Sequence, residues 1–137
     1  RYFATYRQLD AWLRDAAQRA VRERSARTAS GRLVRFRFDS EDRQAISLAQ
    51  RNGKNSPIQG SSADIFKRAL RLLHEQLRDT SACIVNIVHD EIVVEADAAD
   101  TEAVSGKVED AMCTAGEEYI KKVPVKVETQ VADEWVK

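Results

Sequence analysis

Several residue types are scarce in this 137-residue sequence, and each scarcity excludes a class of protein. Cys83 and Cys113 are the only cysteines and form no CxxC pair, so a disulfide scaffold or a zinc site is not expected. Cys83 lies in an apolar run, which predicts buried free thiols in a reducing compartment. No apolar run approaches the ~18 residues of a membrane span, and no signal peptide is recognised, so we expect no membrane partner.

The net charge is zero, which at first argues against a nucleic-acid binder, but the charges are unevenly distributed. Residues 1–37 carry ten basic and three acidic side chains, whereas residues 80–137 carry five basic and thirteen acidic ones. Such a chain could hold a polyanion at one end and cations at the other, although solvated charged faces are the alternative explanation. The length suits one domain, and a first residue of Arg1 rather than Met makes us expect a fragment or one piece of something larger.

Hydrophobic periodicity predicts an α+β fold. Helical spacing runs from Tyr6 to Ala20, and turn residues at 28–31 precede an alternating, arginine-bearing strand at 34–38. A helix is predicted to start at Ser40 and to be interrupted at Pro57, with a second helix from Ser61 or Ser62 to about Arg78. Two apolar runs then predict paired strands buried on both faces, followed by a helix from about 98 and a closing strand at 123–131.

The triplet His89-Asp90-Glu91 lies between the two apolar runs. Two carboxylates held between strands are hard oxygen ligands of the kind that Mg²⁺ prefers. One such turn cannot form a two-metal site alone, because a bridging carboxylate must come from elsewhere. The alternative is that the acidic turn is simply solvated and that His89 is a structural residue.

A second polar set surrounds Pro57. Arg51 and Asn55 are four residues apart and share a helix face, and Gln59 follows after the proline. These side chains donate hydrogen bonds to nucleic-acid acceptors, including those of the minor groove. The alternative is a polar helix end followed by a loop.

Together, these motifs resemble the C-terminal part of the family A DNA polymerases, the bacterial DNA polymerase I type. The resemblance covers essentially the whole chain and departs from the family at Arg7, where proline is usual, and at Leu33 and Val34, which interrupt an arginine run. The matching elements, in chain order, are Tyr2-Phe3 through Trp12, Thr28-x-x-Gly31-Arg32, Arg51-x-x-x-Asn55-x-Pro57-x-Gln59-Gly60, Ala63-Asp64, Val88-His89-Asp90-Glu91 and Asp133-Glu134-Trp135.

The resemblance implies a role for each matching residue. Asp90 resembles the motif C aspartate that binds the catalytic Mg²⁺ ions, Glu91 its acidic neighbour, and His89 the residue placed against the primer terminus. The resemblance implies that the remaining DNA-binding residues are the minor-groove contacts Arg51, Asn55 and Gln59 and the backbone contact Arg32. It also implies helices packed on a small antiparallel sheet, with a rear fingers segment at 1–80 and a palm segment at 81–137.

The implied function is part of a DNA-directed DNA polymerase that acts on primer–template DNA in the cytoplasm of a bacterial or phage-infected cell, near the nucleoid. The family's motif A aspartate and its dNTP-binding helix have no counterpart in this sequence. We therefore expect a two-metal Mg²⁺ site shared with an N-terminal polymerase segment or chain, which would also supply the dNTP contacts. The alternatives are a non-catalytic remnant that binds duplex DNA or a partner protein, and a small metal-binding domain indifferent to DNA.

Overall fold

A computed structural model describes residues 2–135 and confirms the α+β class. Two separate two-stranded antiparallel sheets, β1–β2 and β3–β4, are embedded among the helices. The elements in chain order are α1 (Tyr2–Thr5), α2 (Arg7–Glu23), β1 (Ser25–Arg27), β2 (Leu33–Arg35), α3 (Arg43–Leu77), β3 (Cys83–Val88), β4 (Glu91–Glu95) and α4 (Thr101–Glu117). No helix among these residues is long and apolar enough to cross a membrane.

The chain divides into two compact units, residues 1–64 and 65–137, and the division lies within α3. In the first unit the buried positions are small: Ala16, Ala17 and Ala20 of α2 and Ala49 of α3 are at most 7% exposed. In the second unit Leu73 and Leu77 of α3 form a core with residues of β3, β4 and α4. The functional division at residue 80 into fingers and palm stays a prediction.

The predicted helix break at Pro57 is wrong, because α3 continues through it as one 35-residue helix. Proline removes one backbone donor, so the carbonyl four residues earlier loses its helical partner, but packing of α3 can outweigh that local cost. The start of α3 lies close to the predicted one: the Asp42 carboxylate accepts hydrogen bonds from the backbone N–H groups of Gln44 and Ala45. Asp42, rather than Ser40, is therefore the N-terminal capping residue.

The predicted closing strand is also wrong, since residues 121–135 contain no strand. Of the alternating valines, Val125 packs against α4, and a Cβ added to Gly116 would lie only 2.8 Å from its side chain, whereas Val123 and Val131 are exposed. A strand needs free backbone groups on a neighbouring strand, and alternation of side chains alone does not supply them.

The strands of β3–β4 are less buried than predicted. Val85 and Ile87 are each 51% exposed, and Cys83 is exposed at the open end of the hairpin, opposite Glu95. A two-stranded sheet covered by helices on one side leaves its other side exposed, which the apolar pattern could not show. Cys113 is half-buried, and burial raises the pKa of its thiol.

Candidate nucleic-acid interface

The β3–β4 hairpin places His89 and Asp90 in a two-residue turn, because Val88 and Glu91 are the last paired residues. His89 has a φ of 55°, in the left-handed region. Histidine is among the few non-glycine residues enriched in that region, so its presence here is compatible with a tight turn. The predicted position of the triplet at the connection between two strands is confirmed.

The carboxylates of Asp90 and Glu91 are exposed, and within residues 2–135 neither has a hydrogen-bond or ion-pair partner. Both oxygen pairs are therefore available to an external cation. In the same part of the chain no group of three or more His, Cys, Asp or Glu side chains could hold a metal ion. These two carboxylates fit Mg²⁺ chemically, but they supply only part of a coordination shell.

The hairpin is anchored by apolar packing. Ile84, Ile92 and Val94 contact the core formed by Leu73, Leu77 and residues of α4. The strand register shifts between Ile84 and Asn86, which makes Val85 a bulge. Because a bulge bends and twists a strand locally, it changes the direction of the half of the hairpin that carries the acidic turn.

The polar set on α3 forms one exposed row. Arg51, Asn55 and Gln59 are successive i, i+4 positions, about 6 Å apart along the axis, and all three side chains are exposed. Within the described chain none of them has a side-chain hydrogen-bond partner. The row is therefore free to donate hydrogen bonds to a ligand, and the predicted shared face is confirmed.

The opposite side of α3 is fixed against α2. A Cβ built on Gly53 would lie 2.2 Å from the Ala20 Cβ and 3.0 Å from the Ala16 carbonyl oxygen. Real Cβ atoms do not approach so closely, so only glycine allows this helix contact. Gly53 is two residues from both Arg51 and Asn55, which on a helix places it nearly opposite them. Close packing of Gly53 against α2 therefore keeps Arg51 and Asn55 on the exposed side of α3.

Arg32 is not a free arginine, because it joins the β1–β2 turn to α3. Its Nε donates to Asp64 Oδ1 at 2.7 Å, and its Nη2 donates to the Gly60 carbonyl at 3.2 Å. Ser30 Oγ donates to the other Asp64 oxygen at 2.6 Å. The Ser30 hydrogen bond, with smaller contributions from Thr28 and Arg32, lowers the pKa of Asp64 from 3.8 to about 2. The side chain of Arg32 remains 48% exposed, and its predicted DNA contact stays a prediction.

The T-x-x-G-R turn is itself closed by Thr28, the one buried polar residue of the described chain. Its backbone N–H donates to the Arg32 carbonyl, and its hydroxyl accepts from the Arg32 N–H. Gly31 adopts a φ of 86°, which favours glycine. Ser61 Oγ accepts from the Ala29 N–H at 2.7 Å. Sequence reasoning missed these contacts of Ser30 and Ser61, because their partners are more than thirty positions away.

The structure thus forms two groups of predicted site residues. Arg51, Asn55, Gln59 and Arg32 lie in the first compact unit, and the His89–Glu91 turn lies in the second. Each group is assembled by its own unit.

Comparison with known proteins supplies the family. A model described as DNA polymerase family A matches residues 1–137. DNA polymerase I of Aquifex aeolicus is 44% identical over 85 residues, which are 61% of this chain and 15% of that protein. The thermostable DNA polymerase I of Thermus aquaticus is 31% identical over 138 residues, covering 99% of this chain and 16% of the relative.

A solved structure is similar as well. The POL domain of Pol1 from M. smegmatis, in complex with DNA primer-template and dNTP, superposes with a TM-score of 0.78 at 31% identity. The match covers 83% of this chain and 21% of that one. The chain spans about a sixth of the length of the curated relatives it matches. Because the family model matches the chain from end to end, this chain belongs to DNA polymerase family A.

Proposed function

We propose that this chain contributes to templated DNA synthesis by supplying one carboxylate pair and a duplex-binding row to a family A polymerase. One observation carries the proposal: Asp90 and Glu91 are exposed and unpaired at a tight hairpin turn. The chain that bears them matches the family model over residues 1–137. Carboxylates without protein partners at an anchored turn are suited to binding cations rather than to stabilising the fold.

Asp90 and Glu91 would hold Mg²⁺, with Asp90 as the principal ligand. Bound divalent ions would stabilise the charge that develops during phosphoryl transfer. Two carboxylates do not make a two-metal site, so a further polypeptide segment, N-terminal in family terms, would supply the remaining ligands and the contacts to dNTP. We therefore expect this chain to be active only together with that segment or chain, in the cytoplasm where such polymerases act.

The row on α3 would bind the minor groove of primer–template DNA. Arg51, Asn55 and Gln59 present donors, and minor-groove acceptors occupy nearly the same positions in every correct base pair. Contacts of this kind test the shape of a pair without reading its sequence. His89, exposed at the hairpin turn, would lie against the primer terminus, and Arg32 would contact the DNA backbone with its exposed side.

Primer extension with Mg²⁺ and dNTPs tests the proposal. The chain is assayed alone and mixed with the upstream segment of a family A polymerase, as wild type and as Asp90→Asn. We expect extension only in the mixture and a loss of about a hundredfold or more with Asp90→Asn, because a metal ligand is worth several kcal/mol of transition-state stabilisation. Asp79→Asn is the matched control, since Asp79 is also an exposed carboxylate of the second unit.

Duplex binding, measured by fluorescence anisotropy, separates catalysis from binding. The proposal requires that Asp90→Asn still binds primer–template DNA. An inert mixture whose two pieces bind each other and the duplex would contradict the catalytic proposal and favour a non-catalytic remnant that binds DNA or a partner protein.

A further inference from the structure

A second basic region lies in the first unit, apart from the row on α3. It is a cleft of about 390 Å³ between the end of α2, the β1–β2 hairpin and residues 36–38. The basic residues that line it are Arg24, Arg35 and Arg37, and its aromatic residues are Phe36 and Phe38. Glu23 is the only acidic residue in the lining, and it already pairs with Arg22 at 2.8 Å.

The strand register places arginines on one face of the hairpin. Arg35 pairs with Ser25 and Leu33 pairs with Arg27, so Arg27 and Arg35 share a face, while Ala26 and Val34 occupy the other. Arg27, Arg35 and Arg37 are exposed, whereas Ala26 and Val34 are half-buried. β2 ends at Arg35, and Arg37 lies two residues beyond it, so their Cα atoms are at most about 7 Å apart.

Two of these arginines have no partner in the protein. Within residues 2–135, neither Arg35 nor Arg37 forms a side-chain hydrogen bond or an ion pair. By contrast, Arg14, Arg19 and Arg71 are each paired with an acid four residues away on their own helix. The positive charge of the cleft is therefore not neutralised by the protein, which favours an anionic ligand.

The aromatic side of the cleft is pre-organised by Arg24. Arg24 ends α2 with a φ of 49°, and this left-handed conformation turns it back over the segment that follows β2. Its Nη1 donates to the Phe38 carbonyl at 3.1 Å, and its guanidinium carbon lies 4.7 Å from the Phe38 ring centroid. One donor of five is used in this way, so the others remain available. A guanidinium held against an aromatic ring forms a flat surface beside which a base can stack.

We infer that this cleft binds single-stranded DNA, with Arg35 and Arg37 on consecutive phosphates and the Arg24–Phe38 pair beside a base. Unpaired cations two residues apart match a flexible sugar–phosphate backbone, and half-buried aromatic rings beside them add stacking that a fully paired duplex cannot use. Identifying this strand as the single-stranded template beyond the primer terminus rests on the proposed function. The binding itself needs neither Asp90 nor a metal ion.

The test measures binding of the 137-residue chain to a labelled oligothymidylate by fluorescence anisotropy over a range of salt concentrations. Each phosphate contact with a single strand contributes about 0.7 to the slope of log affinity against log salt. Loss of two contacts in the R35Q/R37Q variant should lower that slope by about 1.4. A fourfold rise in salt should then weaken the wild type about sevenfold more than the variant.

Two variants complete the design. R14Q/R71Q removes the same charge from exposed arginines on α2 and α3 and should leave the slope of the wild type unchanged. R35K/R37K keeps the charge and should retain most of the slope. Circular dichroism checks that all variants are folded. We expect them to be, because Arg35 and Arg37 are both exposed.

The outcomes separate this inference from the proposed function. A slope for R35Q/R37Q equal to that of R14Q/R71Q, or an oligothymidylate that the wild type does not bind, overturns the single-strand site. Either result leaves primer extension and its dependence on Asp90 untouched. Conversely, an Asp90→Asn chain that binds the oligothymidylate like the wild type, beside a weakened R35Q/R37Q chain, supports the cleft even if the polymerase assay fails.

Discussion

At the scale of single residues, Asp64 shows how one side chain joins distant parts of the sequence. It accepts hydrogen bonds from Ser30 and Arg32 of the β1–β2 turn while lying on α3 itself. These contacts favour the charged form, which is why the pKa of Asp64 falls to about 2. The sequence analysis named Asp64 only as part of a matching element, and the structure shows that it holds Arg32.

Asp64→Asn should therefore destabilise the chain in a pH-dependent way. The pKa of Asp64 is lowered from 3.8 to about 2 in the folded chain. The stability that its charged form contributes is therefore complete above about pH 5 and is lost as the pH falls toward 2. At pH 7 we expect a loss of about 1–2 kcal/mol in the free energy of unfolding, since Asp64 is mostly buried but Arg32 is half exposed. Urea unfolding at pH 7 and near pH 2.5 measures it, and the difference between the two proteins should be much smaller at the lower pH.

Asp15→Asn is the control for this carboxylate. Asp15 pairs with Arg19 on the surface of α2, and both side chains are about half exposed, so its loss should cost only a few tenths of a kcal/mol at either pH. A difference between wild type and Asp64→Asn that stays constant from pH 7 to pH 2.5 would show that the hydrogen bonds to Asp64 do not stabilise its charge.

At the scale of elements, sequence patterns were sufficient where local chemistry decides the structure. The α2 and α4 helices, both hairpins and the shared face of Arg51, Asn55 and Gln59 follow from periodicity and turn residues. The errors arose where distant packing decides: α3 continues through Pro57, and the valines at 123–131 form no strand. Neither outcome can be read from a window of neighbouring residues, because each depends on what the element packs against.

The α2–α3 contact gives an element-scale prediction at Gly53. Alanine is the better helix former by about 1 kcal/mol, yet a Cβ at this position would overlap Ala20 of α2. Overpacking costs about 1–3 kcal/mol, so we expect Gly53→Ala to destabilise the chain and to lower its melting temperature. The displaced helix should also move the Arg51 row, and we therefore expect weaker binding to duplex DNA.

Gly106→Ala is the matched control, because Gly106 lies within α4 and a Cβ there would meet nothing within 4 Å. This substitution should stabilise the chain by about 0.5–1 kcal/mol. If both alanine variants raised the melting temperature, the close approach of α2 and α3 would not be what requires glycine at position 53.

At the scale of the whole molecule, charge and exposed apolar surface both affect the association between copies of the chain. The net charge of zero provides no overall repulsion between copies, and the opposite charges of the two ends favour attraction. Exposed apolar residues include Val85 and Ile87 on β3, each 51% exposed. Exposed apolar strands are sites of association in isolated sheets, so we expect this chain to self-associate as its concentration rises.

Sedimentation velocity distinguishes the two causes of such association. Screening by salt weakens attraction between charged ends but not the burial of apolar surface, so association through β3 should persist at high ionic strength. The Val85→Thr/Ile87→Thr variant should then shift the population toward monomer at both low and high salt. Val123→Thr/Val131→Thr changes two valines of the segment after α4 that are more exposed, at 64% and 60%, and should change little. A wild-type chain that stays monomeric at all concentrations, or whose association disappears in salt, would show that the exposed side of β3 does not drive contact between chains.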